Sequence, residues 1–214
     1  MRTPTIRMAA VLSAAVAMAL ALMTAGCSAV ADPTRYYVLS PSATAPTNPA
    51  PAAASSIAVG VGPVLVPRYL DRVQIVTRNA NGDVDLSTYH RWAEPLEAGI
   101  TQVLAENLAV QTGSDRIAIY PWRGVAARAL DYQVAVIVTR FDATRGRQVE
   151  LDARWRLLSR DGKEVALKRS RIMEPVAGDG YEAVVQSMNR VLEILARQIA
   201  QEIQVRGPRA AAGS

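Results

Sequence analysis

The sequence predicts an α+β fold: a mixed, mostly antiparallel sheet with two amphipathic helices packed on one face. Three observations predict it. Val149, Leu151, Ala153, Trp155 and Leu157 alternate with Glu150, Asp152, Arg154 and Arg156, a period of two that suits a strand with one wet face. Two other segments repeat at spacings of three and four. These are Leu96, Ile100, Val103, Leu104 and Leu108, and Val184, Val185, Met188, Val191, Leu192, Leu195, Ile199 and Ile203. Each draws one apolar stripe along a helix. Finally, three strand patterns separated by turn signals run between the two helices, so the stripes have a sheet to cover.

In chain order, Arg2 and Arg7 precede an uncharged run from Met8 to Gly26, rich in Ala, Leu, Val and Met and ending in small residues. This is the build of a secretory signal peptide over 1–26. The run also approaches the ~20 apolar residues of a membrane span, so an uncleaved anchor stays open. Thr24-Ala25-Gly26-Cys27 resembles a bacterial lipobox, with Thr24 where the pattern has Leu. Cys27 is the chain's one cysteine, which excludes an intramolecular disulfide. The resemblance implies cleavage before Cys27 and fatty-acyl chains, palmitate among them, on the new N-terminus. Each buried CH₂ of such a chain adds about 0.8 kcal/mol of membrane affinity. Ser28 in place of an Asp implies the periplasmic face of the outer membrane.

Residues 27–35 are then a lipidated N-terminus and short tether, and 36–205 a single domain. The stretch 40–56, "SPSATAPTNPAPAAASS", has the composition of a loop or linker. "RYYVLS" before it reads as a strand, although 28–56 as one continuous tether is the alternative. "IAVGVGPVLV" reads as a strand whose Gly62-Pro63 demands an edge position or a bulge. "VQIVTR" and "VDLSTYHRW" flank the turn signal "NANGD". Pro95 suits the first turn of a helix that ends at Thr112-Gly113. "RIAIYP" is a short strand, and "YQVAVIVTRFDA" a long apolar one expected at the centre. "EVALKRSRIME" follows the Asp161-Gly162 turn and belongs near an edge, given Lys168, Arg169 and Arg171. Asp179 and Glu182 have capping-box spacing ahead of the last helix. Residues 206–214 read as a disordered tail.

The chain has 214 residues and a formal charge of +5, which falls to +3 without Arg2 and Arg7. The basicity thus belongs partly to the leader, and no RNP-like aromatic motif is present, so no nucleic-acid partner is expected. A single histidine, His90, with no G-x-S-x-G beside it argues against a hydrolase. No His/Cys cluster suits a metal, and "GVGP" lacks the Gly-Lys ending of a phosphate loop. The pairs Asp83/Asp85 and Glu150/Asp152 fit a solvated strand face. No enzyme, cofactor or metal is expected.

Two clusters remain, "VGPVLVPRYLDRVQIVTR" and "HRWAEP". Each sets an aromatic beside an arginine and a carboxylate: Tyr69 and Leu70 with Asp71 and Arg72, and Trp92 with Arg91 and Glu94. Either they are structural, Trp92 stapling the start of the first helix, or Tyr69, Leu70, Arg72, Arg91, Trp92 and Glu94 form a docking patch, since Tyr, Trp and Arg are enriched at interfaces.

With Tyr36-Tyr37-Val38-Leu39, Gly62-Pro63-Val64, Pro67, Ile75-Val76-Thr77-Arg78, Phe141-Asp142 and Ala153-x-Trp155, these clusters resemble the PqiC-like auxiliary lipoproteins of MCE-type ABC transport systems. Val73 stands where that family usually has Pro. The resemblance spans about Tyr36 to Ile203. It implies an MCE-domain partner, a part in lipid transport between inner and outer membranes, and self-association left open. The alternative is a cell-envelope scaffold or regulator, such as a synthase activator or an outer-membrane assembly partner.

Overall fold

The longest apolar strand of the sequence becomes the spine of the sheet. The computed structural model describes residues 33–42, 57–79, 81–124 and 129–207. The leader, Cys27, the loop from residue 43 to 56 and the tail from Pro208 lie outside the described residues. The chain divides into units 1–33 and 34–214, and the fold is that of the second.

Eight strands form one mixed sheet: β1 (Arg35–Tyr37), β2 (Val59–Leu65), β3 (Gln74–Arg78), β4 (Val84–Trp92), β5 (Ile117–Ile119), β6 (Tyr132–Thr144), β7 (Gln148–Ser159) and β8 (Glu164–Pro175). Helix α1 (Leu96–Thr112) separates β4 from β5, and α2 (Tyr181–Arg206) closes the chain. The long ladders β6–β7 and β7–β8 are antiparallel hairpins, as is β3–β4. The expected meander is therefore β6–β7–β8, with β8 at the edge.

The opposite side of β6 branches. Its first half pairs in parallel with β2, which carries β5 beyond it, and its end pairs in parallel with β3 at Thr77↔Ala143. Beyond β3 come β4 and then β1. Residues 59–78 thus run one way along a single edge of β6 and lift off it between Val66 and Val73. Gly62-Pro63 makes a bulge rather than an edge, because β2 lies between β5 and β6 and the register shifts between Val61 and Val64. A prolyl nitrogen cannot donate to a ladder, and the bulge takes it out of register.

Both helices cover one face, as the alternation requires. Trp155 is buried there and donates from its indole Nε1 to Ser170 Oγ at 2.9 Å. Ser170 Oγ in turn donates to Gln198 on α2. The helical stripes are core: Ile100, Leu104 and Leu108 from α1, and Val191, Leu192, Leu195 and Ile199 from α2, are fully buried. Helix α1 stops where Gly113 adopts a left-handed conformation (φ 64°) and its N–H caps Ala109.

The capping box does not form. Gly180 is the N-cap of α2 and no side chain caps it. Glu182 instead turns to β1 and accepts from Arg35 Nη1 at 3.0 Å and Tyr37 Oη at 3.2 Å. The helix starts one residue later than that spacing requires, so Glu182 is its second residue and not its third. The helix also runs to Arg206, one residue into the expected tail.

Candidate functional site

The segment that lifts off β6 carries the first cluster. Two short turns shape it, Leu70 N–H to Pro67 O at 2.9 Å and Arg72 N–H to Leu70 O at 2.8 Å. They drive Leu70 into the core, where it is 2% exposed. Tyr69 swings over the uncovered part of β6 and donates its hydroxyl to Asp142 Oδ2 at 2.9 Å. Asp142 is buried and also accepts from Arg78 Nη2 at 2.9 Å and Arg140 Nε at 3.1 Å. Arg140 continues to Glu150 (2.6 Å), which also holds Arg171 (2.7 Å), while Arg169 pairs with Asp152.

The pair Glu150 and Asp152, expected on a solvated face, is therefore buried. Arginines from β6 and β8 lie across both carboxylates. Asp83 and Asp85 are exposed. Burial alone would raise the Asp142 carboxyl, but hydrogen bonds from Arg78 and Tyr69 and the charge of Arg140 hold it below the usual carboxylate range. Burial, then the charge of Asp142, pushes the Tyr69 hydroxyl up to about 12. This network clamps the excursion to the sheet. Asp142 was quoted in the sequence motif, but its role needs the register that brings Tyr69 and Arg78 beside it.

The second cluster follows directly in space. Trp92 N–H donates to Val73 O at 2.6 Å and Ala93 N–H to Tyr37 O at 2.9 Å, so the exit of β4 is held between the excursion and β1. Trp92 is 5% exposed, packed in the core with Leu39 and Leu96. The carboxylates of both clusters, Asp71 and Glu94, face outward, while Arg72 and Arg91 are half-buried. Arg72 and Arg91 each have a buried Nε with no hydrogen-bond partner. Asp71, Glu94 and Glu97 line an open groove of about 580 Å³ with Ile119 and Tyr120, and none of the three forms an ion pair among the described residues.

His90 is not part of that groove. Its ring stacks on Tyr181 at 4.0 Å and its Nδ1 lies 2.8 Å from Tyr37 Oη. Among the described residues no group of His, Cys, Asp and Glu could hold a metal ion, and no helix is long and apolar enough to cross a membrane.

The domain is a mixed sheet with two covering helices, an ion-paired clamp and an open groove lined by carboxylates. The sequence matches the model of the ABC-type transport auxiliary lipoprotein component over residues 37–200, and the chain belongs to that family. The family is a transport auxiliary and not an enzyme family. Among solved structures, protein XCC0632 from Xanthomonas campestris is 17% identical with a TM-score of 0.62, covering 78% of this chain and 93% of its own. An uncharacterized protein is 20% identical with a TM-score of 0.61, covering 79% and 97%. At these identities the likeness is one of fold. No curated protein matches the chain.

Proposed function

We propose that the protein is a lipid-anchored periplasmic subunit of an MCE-type ABC transport system. In this reading it is moored at Cys27 to the outer membrane and supports lipid movement between the two membranes by binding the MCE partner. The family match over 37–200 carries this reading. The partner meets the charged ends of the two clusters, Arg72, Arg91 and Glu94, while Leu70 and Trp92 hold those ends in place from the core and Tyr69 ties the excursion to Asp142.

The test is co-purification from membranes. An MCE-domain protein should accompany the wild type, and Arg91→Ala with Glu94→Gln should lower its recovery at least tenfold while the circular dichroism spectrum is unchanged. Recovery of a different envelope complex in its place would replace this reading with the scaffold role. Intact mass of the mature protein reads cleavage and acylation at Cys27 separately.

A further inference from the structure

The face of the sheet turned away from the helices is divided along the strands. Toward the end of β6 it is tightly ion-paired through Arg78, Arg140, Arg169 and Arg171. Toward the start of β6 it changes character. Pro63, Leu65, Ile137 and Leu167 line a shallow groove of about 330 Å³ together with Arg154, Arg156 and the carboxylate of Glu164. Leu65 and Ile137 are each 50% exposed and Leu167 64%. Leu65 and Ile137 are partners in the β2–β6 ladder, and Leu167 stands two strands from Ile137 across Arg154 and Arg156 of β7; apolar side chains gathered in one groove mark a place of interaction rather than scattered exposure.

The arginines give the surface its sign. Arg154 lies directly opposite Arg169 in the β7–β8 ladder, an arrangement that destabilises a sheet unless something anionic compensates. Asp152 compensates Arg169. Arg154 and Arg156 have no ion-pair or hydrogen-bond partner among the described residues. Apolar side chains at one level with unpaired arginines among them suit a bilayer boundary, where arginine stems lie along apolar surface and their heads reach phosphates.

We propose that this face is a peripheral lipid-docking site, resting on the headgroups of an anionic bilayer through Arg154 and Arg156 with Leu65, Ile137 and Leu167 at the acyl boundary. An acidic protein would meet the same charges. The bilayer is favoured because the chain belongs to a lipoprotein family and unpaired arginines rim exposed leucine and isoleucine side chains. A bilayer near the domain presupposes the anchor proposed at Cys27. Attachment by acyl chains and an added basic contact act together on membrane residence, and the second contact would fix which side of the domain faces away from the membrane.

The test uses the acylated full chain, in which Leu167→Cys supplies the one free thiol. It is labelled with an environment-sensitive fluorophore and reconstituted in vesicles of phosphatidylethanolamine, with or without phosphatidylglycerol. A label at Gln201→Cys, on the exposed side of α2, is the control. The Leu167→Cys label should shift to the blue and be quenched by doxyl lipid when phosphatidylglycerol is present, and the control should not. The shift should be lost with Arg154→Glu and Arg156→Glu, or in high salt.

Equal behaviour of the two labels would overturn the proposal. So would shielding at residue 167 that persists in detergent, which would mean that protein, a second copy included, covers the face. Intact mass keeps the anchor separate: if Cys27 is unacylated, the same labels in a Cys27→Ser background with added vesicles decide the face alone.

Discussion

Asp142 shows how much one residue can hold. Its carboxylate is buried and takes donors from Tyr69, Arg78 and Arg140. Removing one member of such a cluster leaves uncompensated charge, which costs about 3–5 kcal/mol. Asp142→Asn should therefore lower stability by about 3 kcal/mol in urea unfolding. Because the folded carboxyl lies below its ordinary value, its contribution is complete above about pH 4 and is lost as pH falls through the folded value. Asp142→Asn should accordingly flatten the acid limb of the stability profile. Tyr69 gives the opposite sign. Its folded hydroxyl is raised to about 12, so its contribution is whole below about pH 10 and is lost as pH rises toward 12. Tyr69→Phe should cost about 1–2 kcal/mol near neutrality and remove part of the alkaline loss between pH 10 and 12. These roles were not legible beforehand. An Asp in an apolar strand pattern looks like an interruption until the register brings three donors to it.

At the scale of elements, the helical stripes and the three-strand meander were fully legible, because period and turn chemistry are local. Helix α2 follows its stripe from Val184 to Ile203. Leu192→Ala, deep in that stripe, should cost about 2–5 kcal/mol by transfer and cavity terms together, measured as a drop in the urea midpoint with an unchanged slope. The start of α2 departs from the capping-box spacing, because the chain enters the helix at Gly180 rather than Asp179 and Glu182 reaches across to Arg35 and Tyr37 on β1. The bulge at Gly62-Pro63 was one of two readings. Only the pairing of β2 with both β5 and β6 chooses between them.

For the whole molecule, the proposed role turns on how a folded unit is presented to membrane and partner. If Cys27 carries the anchor as proposed, Cys27→Ala should abolish acylation and release the domain from membrane fractions while leaving the fold intact, as read by fractionation and circular dichroism. If partner recovery then falls without any change at Arg72, Arg91 or Glu94, mooring itself contributes to assembly through raised local concentration. The sequence by itself determined the fold class, both helices, the absence of the common catalytic motifs and the family, because periodicity, composition and short motifs are read along the chain. The tertiary structure decided which members of each motif are buried and which are free. It turned Leu70 and Trp92 inward and, among the described residues, left Arg72, Arg91 and Glu94 without salt-bridge partners. That outcome depends on β6 pairing with two different strands along one edge, a long-range choice that the spacing of residues in the chain does not encode.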